Sequence, residues 1–204
     1  MGTNRVDIKT KTILHLCADI GSDSAIYLEN GYNVIRVGKD MGVENYHPPL
    51  DVYGIIANPP CTQFSFARTK AKSARNLREG MNLVYHCLRV IWEAQYDLPS
   101  GTSKTTSLKF WYIENPYGLL RRFLGEPYFI YSPHEYGDTY KKKTCLWGIF
   151  NKPKKLTEMR GVLPKFDSLP SKNIHSEYFG ILSRQERRSI CSSKFANAFY
   201  KANK

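Results

Sequence analysis

The chain alternates short apolar runs with turns and helical stretches, and three of the runs break off in the same abrupt way. Residues 12–16 stop at Cys17-Ala18-Asp19-Ile20-Gly21, residues 52–56 stop at Asn58-Pro59-Pro60, and residues 108–113 stop at Glu114-Asn115-Pro116. Apolar runs of this length bounded by turn formers read as buried strands. A helix is expected from Ala25, capped by Ser22 or Ser24 and ended by Asn30-Gly31, with a second strand at 32–37 behind it. Residues 77–96 read as a longer helix with Met81, Val84, Leu88 and Ile91 on its apolar stripe. Further strands are expected at 128–131 and 145–150 and a closing helix at 195–201, while 98–107, rich in Pro, Gly, Ser and Thr, reads as a loop. Strands alternating with helices imply an α/β domain with a parallel sheet, which binds ligands at the carboxyl ends of its strands. The three abrupt turns all fall on that edge.

Length and composition fit a single domain over residues 1–204, since 42% hydrophobic content can supply a full core. No run reaches the ~18–20 apolar residues of a spanning helix, and the polar stretch from Met1 to Lys11 lacks the apolar segment of a signal peptide. No membrane attachment and a cytoplasmic location are therefore expected. Five widely spaced cysteines without a Cys-x-x-Cys pair suggest neither a disulfide framework nor a metal site. The charge is uneven: residues 1–135 hold 15 Lys/Arg against 13 Asp/Glu, and residues 136–204 hold 15 against 5. A net charge of +12 with such clustering points to a polyanion, nucleic acid first among them, with a merely solubilising surface as the alternative.

One thiol stands out as a candidate for chemistry. Two prolines fix the backbone ahead of Cys61, and the segment behind it runs into Arg68, Lys70, Lys72, Arg75 and Arg78 with no acid between them. A nucleophile is thus placed beside a phosphate-binding surface. The plain alternative is a buried, inert cysteine.

Taken together these segments resemble the cytosine carbon-5 DNA methyltransferases, in their short phage-type form. Residues 14–21 look like the first cofactor loop, 58–65 like the Pro-Cys nucleophile segment ending in Phe-Ser, and 113–116 like the Glu-Asn segment, in the family's order. Tyr136-Gly137 and 141–148 resemble the basic segment before a late strand, and 188–203 resemble the closing helix. The resemblance implies a Rossmann-like class I methyltransferase sheet with flanking helices, S-adenosylmethionine as cofactor, and DNA ahead of RNA as partner. Cys61 becomes the nucleophile that adds to carbon 6 of cytosine, and Glu114 the acid facing ring nitrogen 3. Cofactor contacts are implied for Cys17, Ala18, Asp19, Ile20, Gly21, Asp40, Met41, Asn58 and Pro59. Substrate contacts are implied for Pro60, Gln63, Ser65, Arg68, Lys70 and Asn115, with Lys141 and Lys143 in place of the family's anchoring arginines.

The departures are specific. Asp19 stands where the family has a glycine, and Gly38-Lys39 follow the second strand where an acid usually bonds the ribose, leaving Asp40 as substitute. The short link to the nucleophile strand implies that one strand–helix unit is trimmed or absent. Residues 148–188 form a reduced basic segment too small for the usual target recognition domain, so a partner chain or a second copy would have to supply sequence reading. Three readings stay open: a DNA cytosine methyltransferase, the same chemistry on RNA, and a nucleic-acid-binding protein of the same fold with weakened catalysis.

Overall fold

The computed structural model describes residues 10–18, 20–68, 71–96, 107–156 and 175–204. Asp19, Lys70, nearly all of the 98–107 loop and the middle of the reduced basic segment lie outside the described residues.

Six strands form one sheet: β1 Thr12–Leu16, β2 Asn33–Val37, β3 Val52–Ala57, β4 Phe110–Pro116, β5 Phe129–Tyr131 and β6 Thr144–Ile149. Their order is β2-β1-β3-β4-β6-β5, the order of a class I methyltransferase core. The first four run parallel, whereas β6 is antiparallel to both β4 and β5. The sheet is therefore mixed rather than parallel throughout. Only the connections across the parallel half have to carry the chain back to the opposite edge. Between β2 and β3 the chain makes a single 3-10 turn at Val43–Asn45, so β2 stays at the sheet edge and the trimmed unit is observed directly.

Helices cover both faces. The helix α2, Leu77–Tyr96, buries Cys87, Val90 and Ile91 against Leu14, Leu16, Ile55, Ala57 and Ile113, and Val84 among Phe64, Leu120, Cys145 and Trp147. Val84 and Ile91 of the expected stripe are in the core, but Met81 and Leu88 only flank it, because Cys87 and Val90 lie at the centre of the buried arc. The opposite face carries α1, Ala25–Glu29, and α5, Ser193–Asn203; the one-turn helix α3, Arg121–Leu124, packs its Leu124 on the α2 side, and the short α4, Arg184–Ser189, lies at the periphery. Phe195 and Phe199 of α5 pack on Tyr131, Tyr112 and Phe110, and the Tyr131 and Phe195 rings stack at 3.6 Å. Each fully buried aromatic of this kind contributes ~1.5–3 kcal/mol. Where β6 crosses β4, a Cβ at Gly148 would lie 2.1 Å from the Trp111 carbonyl oxygen, so only glycine permits the pairing.

Strand alternation decides what reaches the site. His15, Ile56 and Tyr112 are in register across β1, β3 and β4, and all three point to the α1/α5 side. Two residues further along, the same parity brings Asn58 and Glu114 out on that side at the carboxyl edge.

Candidate active site

The nucleophile segment is a clamped turn. Pro60 leads into a 3-10 turn at Cys61–Gln63, closed by the Phe64 and Ser65 amides donating to the Cys61 carbonyl at 3.0 and 2.9 Å. Phe64 plugs the core beneath it, and the Asn115 amide donates to the Pro59 carbonyl at 2.9 Å, tying the turn to β4. Arg75 donates to the carbonyls of Gln63 and Ser65 at 2.7 and 2.9 Å, while Arg68 reaches Ser73 and the Ala74 carbonyl. These two guanidiniums hold the loop together. Gln63 accepts from the Asn76 amide and from Arg68, and Ser65 accepts from the Ala67 amide, so both also serve the turn itself.

A polar chain runs beneath this turn. His15 Nε2 meets Asn58 Oδ1 at 2.7 Å and His15 Nδ1 meets Ser24 Oγ at 2.8 Å. Asn58 Nδ2 donates to Asp23 at 3.3 Å and to Glu114 at 3.5 Å, and the Tyr112 hydroxyl donates to Asp23 at 3.3 Å. With the Asn58 amide oxygen toward the ring, His15 Nε2 donates to it, while Nδ1 faces the Ser24 hydroxyl, which also lies 3.2 Å from the Gly21 carbonyl. Burial lowers the His15 pKa, which keeps the ring neutral in that tautomer. Ser24, expected as a helix cap, occupies the N-cap position of α1 without a capping bond, its hydroxyl lying between His15 Nδ1 and the Gly21 carbonyl.

Burial pushes the Glu114 carboxyl up, with Asp23 adding to the shift and Lys142 and Asn58 opposing it. The half-buried Cys61 thiol is raised first by burial and then by Glu114, against Lys142 and Arg188. The thiol and the carboxyl, carried by adjacent parallel strands, thus sense each other directly. Both titrate toward their neutral forms, an acid able to donate and a thiol that needs a nearby cation to ionise.

Sequence reasoning missed the other wall. Glu114, Asp23 and Asn58 share a small pocket with Lys142, Tyr140, Cys191 and Ser192. Gln185 of α4 donates to the Thr62 hydroxyl at 3.3 Å, which brings Arg188 of the same helix toward the thiol. Of the three consecutive lysines it is Lys142 that faces the carboxylate. Lys141 is exposed, and Lys143 lies over the Tyr117 ring at 3.8 Å. Alternation along the entry to β6 carried that information, since Lys142 has the parity of Thr144 and Leu146, whereas Lys143 has the parity of Cys145. Nothing local in the sequence marks His15, Asp23 or Cys191; they matter only through partners far along the chain.

The residues implied for the cofactor are spread along the same edge. Cys17 has left-handed backbone, φ 55°, with its sulfur 3.8 Å from that of Cys87, and the Ala18 amide donates to the Val37 carbonyl. Gly21, φ 74°, is roofed by Arg36, whose guanidinium would lie 2.7 Å from a Cβ there. Ile20 is half-buried, and Asp40 and Met41 are exposed just past β2. An exposed carboxylate there, with Met41 beside it, is the kind of group that would bond ribose hydroxyls. The space over Gly21 is taken by Arg36. The structure therefore brings together Cys61, Glu114, Asn58, Pro59 and Asn115, and leaves Asp40, Met41, Pro60, Arg68, Lys141 and Lys143 toward the rim. Among the described residues no cluster of His, Cys, Asp or Glu could hold a metal ion, and no helix is long and apolar enough to cross a membrane.

No protein-family model matches the chain, and no curated protein is significantly similar to it. Among solved structures, a methyltransferase from Entamoeba histolytica, EhMeth, is similar at 12% sequence identity and a TM-score of 0.40, over 81% of this chain and 60% of that one. A likeness of that degree says nothing of substrate, and any functional reading rests on the site itself.

Proposed function

We propose that the protein methylates carbon 5 of cytosine in nucleic acid, DNA before RNA, through a covalent adduct at Cys61. The observation that carries this reading is the pairing of the Cys61 thiol with the Glu114 carboxyl at adjacent strand ends, with Lys142 and Arg188 acting on the thiol from the facing wall. Carbon 5 of cytosine is a poor nucleophile. Addition of the Cys61 thiolate forms a bond from sulfur to carbon 6 and shifts electron density through the ring, making carbon 5 enamine-like while nitrogen 3 gains basicity. Glu114, raised toward its neutral form, donates its proton at nitrogen 3 and can accept from the exocyclic amine. The buried Asn115 Oδ1, which has no partner, faces a need for a donor that the same base could meet. S-adenosylmethionine, which Asp40, Cys17 and Ala18 would hold, would supply the methyl group to carbon 5. Loss of the carbon 5 proton to solvent, with Glu114 recovering its proton from nitrogen 3, then breaks the bond from sulfur to carbon 6 and restores the thiolate. Lys142 and Arg188 favour that thiolate throughout. The base must leave a duplex to reach the thiol, and the basic rim can hold the displaced backbone.

The test is transfer of radiolabel from S-adenosylmethionine to DNA and to RNA, with trapping by 5-fluorocytosine DNA. A covalent complex with the wild type and none with Cys61→Ser supports the reading; label retained by Cys61→Ser refutes it. A second reading, a nucleic-acid-binding protein of this fold with weakened catalysis, is favoured by Arg36 over Gly21 and by the Ala18 amide already bonded to Val37. It predicts binding without label transfer. Sequence-specific reading would then fall to a partner chain or a second copy.

A further inference from the structure

Five residues past the thiol, Phe66 stands 52% exposed on a loop that is otherwise held rigid. A single exposed apolar side chain means little on its own. Its setting is what distinguishes this one. Ser65 forms an antiparallel bridge with Gly118, the Leu119 amide donates to the Phe64 carbonyl at 2.8 Å, and Arg75 holds the Ser65 carbonyl. The backbone before the ring is fixed while the ring is left in water. A Cβ at Gly118 would come 2.4 Å from the Phe64 carbonyl oxygen, so the bridge is as close as two backbones can be.

Gly118, the bridge partner of Ser65, directly follows Tyr117 in the chain. The Tyr117 ring carries two cations, Lys143 at 3.8 Å and Arg121 at 4.0 Å, the latter also paired with the exposed Glu126 carboxylate. The Tyr117 amide donates to the Lys143 carbonyl at 2.9 Å, which pins the exposed lysine to this strand end. An aromatic face in water, beside fixed cations and next to a nucleophile, matches the two halves of a nucleotide: a base that stacks and a phosphate that pairs.

We infer that Phe66 is a stacking platform for a base neighbouring the target nucleotide, with Lys143 on the adjoining phosphate. This deepens the nucleic-acid reading above and rests on it. Stacking is insensitive to salt and phosphate contact is not, so the two contributions separate in one experiment.

Affinity for a fluorescein-labelled, cytosine-containing single strand of about 12 nucleotides, and for the matching duplex, is measured against salt for wild type, Phe66→Ala, Phe66→Trp and Lys143→Gln. Phe66→Ala should bind about 5- to 100-fold more weakly with an unchanged log–log salt slope and an unchanged melting temperature. Phe66→Trp should restore affinity, and tryptophan emission should be quenched on binding more strongly than in wild type. Lys143→Gln should instead lower the slope by ~0.7–0.9. Phe66→Ala binding within twofold of wild type, or a slope that falls with it, overturns the platform while leaving the nucleic-acid reading in place. Wild type that binds neither oligonucleotide overturns that reading itself.

Discussion

The backbone amide of Cys191 donates to the hydroxyl of Ser22 across 2.9 Å, joining the approach to the last helix to the loop after the first strand. Ser192 beside it caps α5 through the Phe195 amide and also bonds Asp138, while Cys191 and Ser192 both line the pocket around Glu114. The pocket is therefore closed by the same bonds that seat α5 on the sheet.

Ser22→Ala leaves a buried amide unsatisfied and should cost about 1–3 kcal/mol of stability. Thermal and urea unfolding measure it. Because the wall of the pocket rests on the same bond, Glu114 should also become more accessible, read as faster modification by a water-soluble carbodiimide.

Glu114→Gln keeps the shape and loses the proton, so turnover should fall on the order of 10²-fold. Stability should move the other way. Burial raises the carboxyl, so the folded protein holds that proton more tightly than the unfolded chain does. Its favourable contribution is complete below the ordinary glutamate range and is lost as pH rises through the raised value. The variant should therefore be more stable than wild type at neutral pH, with the gap closing as the pH is lowered to about 4. A gap that widens in acid would contradict the burial argument.

Alkylation of Cys61 by iodoacetamide should titrate above an ordinary thiol, since burial and Glu114 both favour its protonated form. Lys142→Gln and Arg188→Gln should each move the midpoint further up, and Glu114→Gln should move it down. Mass mapping of the labelled peptide against pH reads all four. A midpoint that ignores Glu114 would separate the two groups.

Asp40 is the first carboxylate past β2 and is exposed there, and S-adenosylmethionine should bind Asp40→Ala more weakly than wild type. Loss of a hydrogen bond to a charged group costs ~1.5–3 kcal/mol, about one to two decades in affinity. Calorimetry decides it, with and without saturating oligonucleotide. Arg36→Ala, which clears the space over Gly21, should bind the cofactor more tightly than wild type.

The parts of the fold set by local pattern were legible in the sequence: every expected strand exists, the trimmed unit is real, and the Cys61 and Glu114 turns lie on one sheet edge. Strand direction was not, because a run such as 145–150 has the same pattern whichever way it pairs. The opposite wall was hidden for a related reason. In the sequence His15 is one of five scattered histidines and Asp23 one of several acids near turns, and each acquires a role only when Asn58, from another strand, comes between them. Lys142 differed from its neighbours only in which face of the chain it occupies.

The bond from Ser22 to Cys191 spans 169 residues. At ~5–20 residues per second, a ribosome finishes that interval about 10–30 s after making the first loop. Throughout that delay the face of the sheet that α5 will cover has only α1 against it. Synthesis order thus leaves Phe110 and Tyr112, from the time they are made, open to chaperones or to other nascent chains.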